Sequence, residues 1–168
     1  MIIDLVQIRM LGEKKRDENQ RFRRHLKSNS HSDRILRRIA EDVEDQIDCL
    51  ACGNCCKVAT AVVSERDVER LARHLRIPRE RFLADYTMQS VEEGLILRRT
   101  REAGCVFLDG TSCTVYDARP DTCQRFPHLV RGAGSIASRM WQLTDRATYC
   151  PIVYNSLEAF KEELGFRK

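Results

Sequence analysis

The stretch Cys49-Leu50-Ala51-Cys52-Gly53-Asn54-Cys55-Cys56 puts four cysteines within eight residues and restricts what this chain can fold into more than any other segment. Thiolates at this density repel one another and oxidise readily unless a cation holds them. Cysteines that serve only as small buried hydrophobes have no reason to follow a C-x2-C-x2-C-C spacing. A C-x2-C turn curls the backbone so that two sulfurs point at one ion and nearby amides face the sulfurs, which stabilises the thiolate form. Gly53 suits such a turn because it lacks the Cβ that penalises unusual dihedrals. The other cysteines, Cys105, Cys113, Cys123 and Cys150, also lie near turn-forming residues. All eight are candidate ligands of a metal or cluster.

The length of 168 residues suits one domain with an extension. The formal net charge is +4, but each zinc or 4Fe–4S centre held by four cysteines adds about −2. The loaded protein therefore approaches neutrality, and its basic balance argues only weakly for nucleic acid. The apolar start Met1–Val6 is broken by Asp4, Gln7 and Arg9 with no small-residue cleavage site behind it, so it does not read as a signal peptide. No window approaches the ~18 apolar residues of a membrane span. The expected compartment is the cytoplasm, where clustered cysteines bind metal or do redox work rather than form disulfides. Four disulfides in an exported protein would fit adjacent Cys55 and Cys56 poorly.

The expected organisation is a charged helical extension over residues 1–44, then a cysteine-cluster domain over 45–168 that ends in a helix. Residues 1–38 carry eleven Lys/Arg against five Asp/Glu, and residues 39–48 carry five acids and no base. Ile35, Leu36, Ile39, Val43 and Ile47 recur at helical spacing, which predicts a helix over about 33–47 with Asp33 as N-cap. A loop, Ser28 to Ser32, precedes it. The basic segment 14–38, with Lys14-Lys15-Arg16 and Arg21-Phe22-Arg23-Arg24, can contact RNA or DNA. A solvated helix face or mobile arm is the simpler reading, since Phe22 is the only aromatic there. His25, His31 and His74 sit in charged sequence and are expected in solvent.

Past the cluster, Val58–Val63 reads as a strand. Ser64 to Asp67 reads as a capping box that opens a helix with Val68, Leu71, Ala72 and Leu75 on its buried stripe. Pro78 starts a second helix, with Phe82, Leu83 and Tyr86 inward. Gly94–Arg99 and Cys105–Leu108 read as strands, the second followed by the Asp109-Gly110 turn, and together they suggest a small antiparallel hairpin that brings Cys105 and Cys113 near each other. Cys113 to Pro127 reads as irregular. Asn155-Ser156-Leu157-Glu158 reads as the start of a last helix, stopped by Gly165. The fold class expected is α+β, a small metal-centred domain with short helices and a hairpin.

Zinc and iron–sulfur readings differ in the spacing they expect. Structural zinc sites pair two C-x2-C knuckles or add a paired-histidine motif. This chain has no second C-x2-C; its later gaps are seven, nine and twenty-six residues. Cys49-x2-Cys52-x2-Cys55 matches the opening of the bacterial ferredoxin run, whose fourth cysteine precedes proline, and Cys150-Pro151 supplies a distant Cys-Pro. A 4Fe–4S cluster on Cys49, Cys52, Cys55 and Cys150 is thus favoured over zinc. Cys56, Cys105, Cys113 and Cys123 then remain for a second centre, since adjacent Cys55 and Cys56 can point to opposite sides of the backbone. Spacing alone does not fix that partition.

The Cys49–Cys56 run, Cys105-Val106-Phe107-Leu108, Cys113 through Pro120 (CTVYDARP) and Cys123-Gln124-Arg125-Phe126-Pro127 together resemble the bacterial CxxCxxCC cysteine-cluster family. The resemblance covers roughly residues 45–152. It implies zinc or iron chelation by the cysteines and a relation to the cysteine-rich flagellin lysine N-methylases, and it adds little about a reaction. Arg119-Pro120 shapes the turn before Cys123. Arg119 and Arg125 can balance the charge of the thiolate centre or anchor a carboxylate or phosphate. Tyr116 and Phe126 can shield the sulfurs from water. His128 is a candidate substitute ligand, more often a supporting or surface group.

Three functions compete. The first is a module that carries a metal or iron–sulfur centre for redox or structural service to a protein partner. The second is a cluster-dependent enzyme, although no G-x-G-x-x-G and no acid–base pair stands out. The third is a zinc-stapled interaction module for protein or RNA. The first is the lead reading.

Overall fold

The computed structural model describes residues 1–28, 33–131 and 134–166. In chain order its helices are α1 (Leu5–Lys14), α2 (Arg16–Ser28), α3 (Asp33–Glu44), α4 (Cys49–Cys52), α5 (Asn54–Val58), α6 (Glu65–Leu75), α7 (Arg79–Tyr86), α8 (Asp121–Arg125), α9 (Ile136–Arg146) and α10 (Pro151–Glu163). Between α7 and α8 lie the strands β1 (Thr87–Ser90), β2 (Gly94–Leu97), β3 (Arg99–Thr100), β4 (Gly104–Cys105), β5 (Leu108–Asp109) and β6 (Ser112–Cys113), then a 3-10 turn over Tyr116–Ala118. This is the expected α+β class, helix-rich with short antiparallel pairs. The chain divides into two compact units, residues 1–48 with 126–168, and residues 49–125.

The first unit is helical. Asp4 caps α1 by accepting from the Gln7 amide at 2.8 Å. Leu36, Ala40 and Val43 recur at helical spacing along α3 and are buried. They join Phe22 and Leu26 of α2, Met140 and Leu143 of α9, and Leu157 and Phe160 of α10 in one core. Phe22 meets Phe160 edge-on at 5.5 Å between centroids, and α1 crosses the Ala147–Thr148 turn so closely that a Cβ on Gly12 would stand 2.6 Å from the Ala147 carbonyl. Lys161 is buried in this unit and paired with Glu18 at 2.7 Å and Glu158 at 2.6 Å; Lys15 also pairs with Glu158.

Several expectations shift here. The helix placed at Asn155 begins at Pro151, which as first helical residue needs no amide partner. Asn155 instead clasps the chain start, accepting from the Ile2 amide at 2.8 Å and donating to the Ile2 carbonyl at 2.6 Å. His25 is not in solvent but half-buried, its ring 5.3 Å from that of Phe166. Asp33 is the first described residue of α3. Asn29 to Ser32, including His31 and most of the expected loop, lie outside the described residues.

The second unit has its own core. Val68, Leu71 and Ala72 of α6 pack with Phe82, Leu97, Phe107, Val115 and Ala118, and the rings of Phe82, Tyr86 and Phe107 stack. The predicted capping box is present: Ser64 Oγ accepts from the Asp67 amide at 3.2 Å, and Asp67 Oδ2 accepts from the Ser64 amide at 2.9 Å. Val58–Val63 does not form the expected strand. Val58 closes α5, and only Val62 makes an isolated bridge, to Ile96. The single hairpin expected over 94–108 resolves into three, β1–β2, β3–β4 and β5–β6, each antiparallel. The turns at Gly94, Gly104 and Gly110 adopt positive φ, which folds the chain back too often for one long ladder. The segment read as irregular after Cys113 contains the 3-10 turn and α8.

Candidate metal centre

Seven of the eight cysteines fall within the second unit. Cys49 and Cys52 frame α4, and Cys55 and Cys56 lie in α5. Gly53 between them adopts φ 58°, the left-handed conformation its lack of a Cβ permits. Contact reinforces the demand, since a Cβ there would meet the Thr111 carbonyl at 2.7 Å. The β5–β6 turn is thereby seated on the cysteine run. Gly104 does the same for the other hairpin: its added Cβ would stand 2.7 Å from the Cys56 carbonyl, so β4 lies directly against α5.

These two approaches gather Cys56, Cys105, Cys113 and Cys123. Cys105 ends β4 and Cys113 ends β6, and each sulfur accepts a hydrogen bond from the amide two residues on, Phe107 and Val115 respectively. Cys123 lies in α8. The four feel one another's charge. Burial pushes the Cys105 thiol up to about 11, and neighbouring Cys56 and Cys113 add to the rise. Burial pushes Cys123 up to about 12, with Cys56, Cys105 and Cys113 contributing. Cys113 is also raised by burial and by Cys56. Cys56 goes the other way, down to about 7, through a hydrogen bond from Cys55 and the nearby Arg119 charge, against its burial. Among the described residues, no three His, Cys, Asp or Glu side chains surround one point at metal-holding distances.

The motif residues around this group have distinct tasks. The Arg119 guanidinium lies 3.7 Å over the Tyr116 ring, and its charge acts on Cys56, Cys113 and Cys123. Arg125 pairs with Asp121 at 3.5 Å on the exposed side of α8. Cys150 is buried in the core of the helical unit. Phe126 packs against that same core, its ring parallel to Tyr149 at 6.3 Å, and His128 follows it there with φ 67°.

Three residues without a predicted role here hold the scaffold. Beyond its cap, Asp67 accepts from the Asp121 amide at 3.0 Å and from Arg70. Arg70 donates to the Ala118 carbonyl at 3.3 Å and the Arg119 carbonyl at 3.0 Å, so α6 fixes the turn that delivers Arg119 and Cys123. Burial alone would raise the Asp67 carboxyl, but the hydrogen bonds from Ser64 and Asp121 and the Arg70 charge hold it below the usual carboxylate range. Arg99 on β3 donates to the Lys57 carbonyl at 3.0 Å and the Val58 carbonyl at 3.2 Å, closing the C-terminal end of α5. Its Nε is buried and has no partner. The capping pattern marks Asp67 in the sequence, and Arg70 stands three residues past it, within reach of its carboxylate; nothing local marks the other bonds of Arg70 or those of Arg99, whose partners lie 41 to 51 residues away.

Four thiols, two already receiving backbone N–H bonds, one attending arginine and a second arginine with an orphaned N–H fit a thiolate-bound cation. A family model named CxxCxxCC, described as "Putative zinc- or iron-chelating domain", matches residues 48–151. No curated protein and no solved structure gives a significant match.

Proposed function

The chain belongs to the CxxCxxCC family, and on that premise we propose that it is a metal-binding protein whose centre is held by the thiolates of Cys56, Cys105, Cys113 and Cys123. The convergence of four cysteines drawn from α5, β4, β6 and α8, with β4 and the β5–β6 turn seated on the cysteine run at Gly104 and Gly53, carries the reading. Half-buried thiols gathered in this way are a liability to an apo protein and an asset to a soft or borderline cation, which replaces their protons and removes their repulsion. Cys49 and Cys52 of α4 and Cys55 of α5 offer three further thiols in the spacing that opens a ferredoxin-type run. Iron–sulfur occupancy, with 4Fe–4S favoured, is therefore preferred to zinc. The service is redox or structural, rendered to a protein partner in the cytoplasm, where such thiols stay reduced. No described helix is long and apolar enough to cross a membrane.

The test is metal and acid-labile sulfide analysis with an absorption spectrum on full-length protein purified without oxygen. Iron with matching sulfide and a sulfur-to-iron charge-transfer band is the expected result. Colourless protein with zinc and no sulfide would replace the cluster by a zinc centre on the same thiolates. Protein that binds neither metal with Cys56, Cys105, Cys113 and Cys123 reduced would overturn the reading.

A further inference from the structure

We propose that Arg99 is a sulfur-binding residue of the centre, its Nε–H serving as a donor to the Cys105 thiolate. The inference rests on the metal-centre reading. Arg99 stands directly opposite Cys105 in the β3–β4 register, and residues opposite each other in an antiparallel pair project to the same face. The two Nη groups are committed to the Lys57 and Val58 carbonyls, the last of α5. That bond pair explains why an arginine ties β3 to the helix that carries Cys55 and Cys56. It does not explain Nε, which is buried beside the hairpin without an acceptor. A buried donor on a charged group is costly to leave unmade, and guanidinium N–H groups bind anionic acceptors strongly. Among the groups this hairpin gathers, the Cys105 sulfur is the one that turns anionic when a cation arrives.

Charge balance points the same way. A divalent ion on four thiolates carries about −2. Arg119 acts on Cys56, Cys113 and Cys123, whereas Arg99 acts on Cys105. The two arginines thus divide the four sulfurs between them. A hydrogen bond from Nε would withdraw electron density from sulfur, tighten metal retention and set the energy of its charge-transfer bands.

Cobalt(II) alone serves as the probe, titrated anaerobically into metal-free full-length protein, wild type beside Arg99→Gln and Arg99→Lys. Lysine keeps a charge and a donor for the α5 carbonyls but has no N–H at the Nε position. Both variants are expected to lose about tenfold or more in cobalt affinity and to move the thiolate-to-cobalt bands to lower energy. A merely structural role would weaken binding without moving the bands. Arg99→Lys with wild-type band positions overturns the inference while leaving the metal centre intact. Wild type that gives no thiolate–cobalt band overturns both. Should neither variant fold, the Arg99 Hε resonance of wild type, followed as cadmium is added, decides: a downfield, exchange-protected signal supports the bond, and an unmoved one overturns it.

Discussion

At the scale of single residues, the candidate centre depends on backbone positions where a methyl group has no room. Gly104, at φ 76°, faces the Cys56 carbonyl so closely that alanine there must both strain the backbone and push α5 away from β4. Gly104→Ala should cost the second unit about 1–3 kcal/mol from strain alone, read as a lowered urea midpoint, and should weaken metal binding in parallel. Asp67 gives a prediction with a defined pH window. Its folded carboxyl lies below the ordinary value of 3.8, so it contributes stability above that pH and loses it as pH falls through the folded value. Between pH 7 and pH 2, wild type should therefore lose more stability than Asp67→Asn, with the difference opening below about pH 4. Equal slopes in thermal melts of the two proteins over that range would dismiss the role given to the carboxylate. Gly53 and the Ser64–Asp67 cap are legible in the sequence because they answer local demands, a tight turn and a helix start. The bracing bonds of Arg70 to the turn at 118–121 and of Arg99 to α5 are not, because those partners lie dozens of residues away.

At the scale of elements, short pieces do the positioning. No strand among the described residues exceeds four residues, and hairpins this small do not stand alone in water. They persist because Phe107 and Val115, each two residues past a cysteine, enter the second core while their amides serve the sulfurs. The same step along the chain thus anchors the hairpin and prepares the ligand. Periodicity reads α6 and α3 well, since burial at i and i+4 is written in adjacent turns. It misplaces the start of α10, because Pro151 and Asn155 both suit a helix N-terminus and the choice rests on what Asn155 touches. Asn155→Ala should destabilise the helical unit by about 1–2 kcal/mol through its lost bonds to Ile2. Hydrogen exchange should show faster opening at the chain start, with α10 itself preserved; fraying of α10 from its first turn would instead restore Asn155 as a cap.

At the scale of the molecule, each unit carries its own apolar core, and only the second gathers the cysteines into a group. Metal removal should therefore fall unevenly. Chelation is expected to raise amide exchange across residues 49–125 and lower the melting of that unit, while the core amides of α3, α9 and α10 stay protected. Uniform loss of protection over both units would contradict this division. The helical unit has a different weak point. Lys161 has a side chain only 5% exposed, between Glu18 and Glu158, and removing one member of a buried ion pair strands the others. Lys161→Ala should cost about 3–5 kcal/mol, measured as a lowered melting temperature, without altering metal content.

The sequence by itself determined the donor set of this protein: a dense cysteine run, a glycine turn within it and helices whose stripes are set by neighbours three and four residues away. These features were readable because their causes are local. Tertiary structure alone decided which thiols share one another's field, that the first and last segments of the chain build one helical core, and that Arg70 and Arg99 brace the cysteines. Those outcomes depend on close approach between segments far apart in sequence, where a carbonyl 2.7 Å from an absent methyl excludes arrangements that no pattern along the chain can rule out.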